Sequence, residues 1–329
     1  MAKMKIVDID SGSDEFINMV YDGHLDYTKF DLVRAGRNAS EEKICELVKD
    51  ADILLTDSQH LNHVTRKIIE SGTKLRLIQC HTIGFDDIDI VAARERGIPV
   101  ANSAGVTAKP MAEYTIMAAA YLMKSIKYAD SEFNKGNWIR GDEFSLQLMP
   151  QELGALTLGI IGCGSIGQEV ARLAKAYGTR TLYHNRSRLP DDVEERLNVE
   201  YASFDVILGK SDVLSINVPL TNSTRGMIGR DEISKMKRGA VLINTARGGI
   251  VDEGALADAL REGHLRGAAV DVFENEPNIG DCPLIGLENV ILTPHMSARS
   301  PETIKRVPVK VCENLNRVYE GKPPLRVVN

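Results

Sequence analysis

A chain of 329 residues is longer than one hydrophobic core usually supports, which predicts two domains of ordinary size. With 43% hydrophobic and 26% charged residues the composition is globular and excludes disorder and collagen-like repeats; a net charge of -6 leaves no basic field for nucleic acid or an anionic membrane. The cysteines Cys45, Cys80, Cys163, Cys282 and Cys312 form neither a C-x-x-C pair nor a disulfide framework, so reduced thiols are expected.

The chain opens directly on a predicted strand at 5–9, without a long apolar run and cleavage site, and its longest apolar run, 116–123, is too short to span a bilayer. A cytoplasmic protein is the expectation. Further strands follow at 32–33 and 53–55 with an amphipathic helix at 41–49, then a strand at 75–80, a turn at 81–84, a helix at 88–96 stopped by Gly97, and a strand at 98–101. A long Ala- and Met-rich helix over 110–127, with Pro110 in its first turn, separates this unit from the next and is expected to pack on a neighbouring domain or subunit.

A glycine-rich stretch comes next. The strand 157–161 runs into Gly162, Gly164 and Gly167, which fit G-x-G-x-x-G, and a helix over 168–177 leads to a second strand at 181–183. In that setting one glycine makes a tight turn, one lets backbone approach a pyrophosphate and one packs helix on strand, while free N–H groups near Ser165 and Ile166 receive phosphate. Cys163 is simply small enough for the turn. A helix at 205–208, strands at 213–216 and 241–244, a helix at 254–262, strands at 268–271 and 290–293, and a last helix at 301–320 complete an α/β pattern with parallel sheets.

Arg247, Glu276 and His295 each stand at or just beyond the carboxyl end of a predicted strand, where open α/β sheets place ligands. Their types suit one another. A guanidinium clamps a carboxylate and its neighbouring carbonyl oxygen, an imidazole exchanges the hydroxyl proton, and a carboxylate orients the imidazole and raises its proton affinity. Arg247 has an alternative as a surface partner of Asp252, and Glu274 competes with Glu276 except that only the latter forms the Glu-Pro pair. His81 reads equally well as a substrate contact or a turn residue. His60 and His63 sit three apart without a third ligand, so no metal site is expected.

The segments Asn244-Thr-Ala-Arg-Gly-Gly249, Asp271-Val-Phe-Glu-Asn-Glu-Pro277 and Leu292-Thr-Pro-His295 resemble the catalytic signatures of the D-isomer-specific 2-hydroxyacid dehydrogenases. Gly84-Phe-Asp-Asp-Ile-Asp89, Gly97-Ile-Pro-Val-Ala-Asn102, Val218-Pro-Leu-Thr221 and Glu320-Gly-Lys-Pro-Pro324 extend the resemblance over nearly the whole chain. It implies two doubly wound parallel-sheet domains with a cleft between them. A discontinuous flavodoxin-like substrate domain would take 1–105 and 296–329, and a Rossmann dinucleotide domain 106–295. It also implies hydride transfer between NAD(P)H and a small 2-oxo or D-2-hydroxy acid, in a homodimer. Arg247 would clamp the substrate, His295 would be the acid/base with Glu276 as partner, and the N–H groups of Ile83 and Gly84 would hold the carboxylate. The cofactor would be met by Gly162, Gly164, Ser165, Ile166, Gly167, Val218, Pro219, Thr224, Thr245, Ala246, Asp271, His295 and Ser297.

At the end of the second strand of the nucleotide unit the acidic residue of NAD-binding folds is absent. Tyr183-His-Asn-Arg-Ser-Arg188 puts Asn185, Arg186 and Ser187 there, which favours NADP over NAD, with Asp191 and Asp192 as alternative ribose partners. Two other functions compete: a dinucleotide-sensing, corepressor-like binding protein, which retention of Arg247, Glu276 and His295 argues against, and a phosphite-oxidising dehydrogenase.

Overall fold

The structure, a computed structural model, describes residues 2–37, 39–58, 61–145 and 148–329. The chain divides into two compact units, Met1–Thr107 with Arg299–Asn329, and Ala108–Ala298. His60 lies outside the described residues.

Short apolar runs without alternation make strands that are covered on both faces, and the first unit is built from five of them. They are β1 (Met4–Asp8), β2 (Phe30–Arg34), β3 (Ile53–Leu55), β4 (Leu77–Gln79) and β5 (Val100–Ala101), all parallel, in the order β2-β1-β3-β4-β5. Helices α1 (Asp14–Tyr21), α2 (Glu41–Val48), α3 (Arg66–Ser71) and α4 (Ile90–Glu95) supply the crossovers. Ser40, Thr65 and Asp89 cap the last three through their side chains, each accepting an N–H from the first turn. Gly97 takes a left-handed φ of 63° just past α4.

The second unit opens with α5 (Ala108–Met123) and α6 (Ile126–Asn134) where one helix over 110–127 was expected. The break has a cause. The buried Arg266 guanidinium donates to the Leu122 and Met123 carbonyls that end α5, to Ser125 Oγ, and to the Leu148 and Met149 carbonyls, while Ser125 turns left-handed at φ 53°. The apolar face of α5, with Ala112, Ile116, Ala119 and Leu122, shares a core with Leu158, Ile160, Val170 and Ala174 of its own unit.

Then come β6 (Thr157–Ile161), α7 (Ser165–Ala176), β7 (Arg180–His184), α8 (Asp191–Leu197), β8 (Val199–Tyr201), α9 (Phe204–Lys210), β9 (Val213–Ile216), α10 (Arg230–Lys235), β10 (Val241–Asn244), α11 (Glu253–Arg261), β11 (Gly267–Val270) and β12 (Val290–Leu292). These seven strands are parallel, in the order β12-β11-β10-β9-β6-β7-β8. The winding reverses between β6 and β9, and the crevice at the carboxyl ends of such neighbouring strands is where doubly wound sheets bind ligands. Finally α12 (Pro301–Tyr319) returns to the first unit, burying Val311, Cys312, Leu315 and Val318 against Ile6, Tyr21 and Leu77. No helix among the described residues is long and apolar enough to cross a membrane.

Candidate active site

The three glycines after β6 differ in what surrounds them. A Cβ on Gly162, whose φ is 91°, would lie 2.7 Å from the backbone of Asn217, and one on Gly167 would lie 2.4 Å from Gly162 O, whereas Gly164 has nothing within 4 Å of that position. Two glycines therefore let the turn and α7 close on the sheet, and the third presents bare backbone to open space. The first-turn N–H groups of α7, at Ser165, Ile166 and Gly167, lead from that face, as a pyrophosphate requires. At the ends of β9 and β10, Asn217 Oδ1 and Thr245 Oγ1 are buried with no hydrogen-bond partner among the described residues. Unsatisfied buried polar atoms beside a phosphate-receptive turn fit a dinucleotide. Val218 and Pro219 follow Asn217, Ala246 is buried, and half-buried Thr224 spends its hydroxyl on Pro219 O within its own loop. Burial pushes the Cys163 thiol up to about 12, as suits a packing residue.

At the end of β7, Asn185 Oδ1 accepts the Cys163 N–H at 2.6 Å. An amide has its acceptor on one side and its donors on the other, so this bond turns the Asn185 NH2 away from the glycine turn. Arg186 and Ser187 are exposed. Arg188 is held elsewhere, paired through two nitrogens with Glu194 at 2.9 and 2.7 Å, a hydrogen bond that with the Tyr183 hydroxyl brings the Glu194 carboxyl to about 2. Asp191 and Asp192 lie in the first turn of α8.

Three other loops carry Arg247, Glu276 and His295. After β10, Asn244 accepts the Ala246 N–H at 3.1 Å and donates to Arg247 O at 3.0 Å, folding a tight turn from which the Arg247 guanidinium reaches Ala246 O at 2.7 Å. A Cβ on Gly248 would fall 2.0 Å from Phe273 O, so only glycine lets this turn lie on the segment after β11. On that segment Glu276 accepts the Phe273 N–H through Oε1 at 2.7 Å and meets His295 Nδ1 through Oε2 at 2.8 Å. Glu274 points elsewhere, 4.0 Å from Arg225, which decides between the two glutamates. Burial works to raise the Glu276 carboxyl, but the His295 hydrogen bond and charge, the Phe273 N–H and the Arg247 charge outweigh it and leave it lowered. His295 and Glu276 are each 34% exposed, partly dehydrated yet open to a ligand. Because a carboxylate only accepts, Nδ1 carries a proton, and Nε2 is the nitrogen on the far side of the ring.

Asp271 shapes the loop that holds the histidine. Its carboxylate is fully buried and accepts from Thr293 Oγ1 at 2.6 Å, Met296 N at 2.9 Å and Ser297 N at 2.9 Å, while its carbonyl takes the His295 N–H at 2.8 Å. Against that clamp His295 keeps a left-handed φ of 48°. Asp271 and Ser297, expected from the sequence as cofactor contacts, also build the scaffold under His295. Asn244, Gly248 and Thr293 escaped that reading although all lie inside its three motifs.

In the first unit the turn after β4 has three successive carbonyls engaged: Thr82 O by Ser103 N, Ile83 O by Asn102 Nδ2 and Gly84 O by Thr82 Oγ1. No N–H of Thr82, Ile83 or Gly84 has a partner among the described residues. Consecutive N–H groups with occupied carbonyls make an anion-binding concavity. His81 is interior, with Nδ1 2.6 Å from Thr56 O and Nε2 2.5 Å from the Tyr21 hydroxyl, so both ring nitrogens are engaged inside the first unit. No group of three or more metal-ligating side chains occurs among the described residues.

Residues 116–297 match the family described as D-isomer specific 2-hydroxyacid dehydrogenase, NAD binding domain. The chain belongs to the D-isomer specific 2-hydroxyacid dehydrogenases. Among its relatives in this family, a glyoxylate reductase of Korarchaeum cryptofilum is 38% identical over 92% of this chain and 90% of its own. A hydroxypyruvate reductase of Thermotoga maritima is 36% identical over 87% of this chain and 91% of its own. The crystal structure of a glyoxylate reductase from Paecilomyes thermophila superposes with a TM-score of 0.85 at 30% identity, covering 100% of this chain and 99% of that one. As a member of these dehydrogenases the protein transfers hydride between a nicotinamide dinucleotide and a 2-oxo or 2-hydroxy acid. Neither the corepressor-like nor the phosphite-oxidising reading gains from these likenesses.

The lowered Glu276 carboxyl stays ionised below the ordinary glutamate range, so its pairing with His295 persists as the solution is acidified. Glu276→Gln keeps the shape and withdraws the negative charge that orients and steadies the imidazole, so kcat for reduction is expected to fall about tenfold or more with cofactor binding unchanged. A native kcat in Glu276→Gln contradicts the pairing.

Proposed function

We propose that the protein is a cytoplasmic, homodimeric reductase of small 2-oxo acids of the glyoxylate and hydroxypyruvate class, working with NADPH in preference to NADH. The observation that carries the reaction is the Glu276–His295 pair beside Arg247. The names of the Korarchaeum and Thermotoga relatives support the substrate class, and family resemblance supports a dimer formed through the nucleotide domains.

When bound, the cofactor supplies hydride to the carbonyl carbon of the 2-oxo acid. His295 Nε2 donates a proton to the oxygen as charge develops on it, Glu276 steadies the imidazolium that does so, and Arg247 binds the carboxylate and the same oxygen. The N–H groups of Ile83 and Gly84 bind carboxylate as a second set of donors. In the oxidising direction His295 takes the hydroxyl proton.

Cofactor preference follows from Asn185. It takes the position where NAD-binding folds carry a carboxylate, its bond to Cys163 leaves an NH2 donor on the other side of the amide, and Arg186 adds an exposed positive charge. A 2′-phosphate meets donors there instead of repulsion.

A panel of 2-oxo acids assayed with NADPH and with NADH tests the activity. Turnover of glyoxylate or hydroxypyruvate, faster with NADPH at low concentration, is expected, and Arg247→Ala or His295→Ala should lose about 10²–10⁴-fold in kcat while still binding cofactor. No turnover across the panel, or near-native rates in both variants, refutes the assignment. Asn185→Asp retains an acceptor for Cys163 N–H and places a negative charge beside the ribose. The ratio of kcat/KM for NADPH to that for NADH is expected to fall about tenfold or more; an unchanged ratio removes Asn185 from cofactor selection.

A further inference from the structure

Tyr114, on the second turn of α5, lies outside the three catalytic motifs, yet its hydroxyl is 2.7 Å from Thr293 Oγ1. Thr293 has one hydroxyl proton, and the Asp271 carboxylate, which can only accept, takes it at 2.6 Å. The Tyr114 hydroxyl must therefore be the donor to Thr293, so that a directed chain runs Tyr114 to Thr293 to Asp271. Burial, offset in part by the Thr293 bond, raises the Tyr114 phenol, which keeps it a donor at every working pH.

The far end of this chain carries the acid/base loop. Thr293 N donates to Val270 O, His295 N to Asp271 O, and Met296 N and Ser297 N to the Asp271 carboxylate; Pro294 has no N–H to place. Every backbone donor from 293 to 297 thus ends on the last residue of β11 or on Asp271, and the left-handed His295 depends on that carboxylate staying where it is. Thr293 fixes one of its two oxygens.

We propose that Tyr114 is a positioning residue for His295, orienting the Thr293 hydroxyl so that Asp271 holds the 293–297 loop in its reactive geometry. The proposal rests on the reading of His295 as the acid/base, and its test therefore includes a measurement made without turnover.

Tyr114→Phe keeps the ring and removes one neutral hydrogen bond. In the protein without cofactor, hydrogen exchange at the Met296 and Ser297 amides is expected to quicken about fivefold, and in turnover kcat is expected to fall about fivefold with KM for the 2-oxo acid within about twofold of native. Thr293→Val should do both more strongly, Thr293→Ser should stay near native, and Tyr114→Phe should add nothing in the Thr293→Val background. Native exchange at both amides in Tyr114→Phe overturns the proposal, as do effects of Tyr114→Phe and Thr293→Val that multiply. Should His295→Ala retain full turnover, the acid/base reading falls while the exchange result still decides whether Tyr114 holds the loop.

Discussion

The hydrogen bond between Glu276 Oε2 and His295 Nδ1, 2.8 Å long and about two-thirds withdrawn from water, is the contact from which the proposed chemistry follows. A carboxylate at that distance fixes the imidazole plane, assigns the proton on Nδ1 and stabilises the charged ring. It also needs support of its own, because burial opposes the Glu276 charge. The Phe273 N–H and the nearby Arg247 guanidinium provide that support, and the same guanidinium is the group suited to a substrate carboxylate. On the proposed reading a single cluster thus sets both the proton and the anion chemistry.

The cluster is assembled from loops that could not meet on most sequences. Gly248 has to be glycine because a methyl group there would occupy the Phe273 carbonyl, and His295 adopts a backbone conformation that few non-glycine residues take. Asp271 offsets that conformation by collecting the N–H groups of the loop around one buried carboxylate. The glycine turn after β6 obeys the same logic. Gly162 and Gly167 permit contact with neighbouring backbone, while Gly164 leaves its face open to a phosphate group.

Much of this was legible in the residue order. Fully covered parallel strands need unbroken apolar runs, and each expected strand is present, usually shifted by one or two residues at its ends. The helices α3, α8 and α10 and the strand β8 were missed because they are short, and α1 and α6 were passed over although they are as long as α2 and α11. The end of α5 at Met123 was beyond local reading, since Arg266, whose guanidinium terminates that helix, is distant in sequence. For the site, the motifs named Arg247, Glu276 and His295, but choosing Glu276 over Glu274 on physical grounds required the coordinates of His295. Asn185 was visible as a missing carboxylate; the bond to Cys163 that orients its amide was not. His81, ambiguous by type, became a buried residue once Tyr21 and Thr56 were seen on either side of its ring.

The most direct measurement is a crystal structure of the protein with nicotinamide dinucleotide and oxamate, a 2-oxo acid mimic that accepts no hydride. The account places the oxamate 2-oxygen about 2.6–3.2 Å from His295 Nε2, with Nδ1 still on Glu276 and the Arg247 guanidinium on the carboxylate. Oxamate bound with that oxygen out of reach of the imidazole, or a Glu276–His295 bond that breaks when it binds, would contradict it.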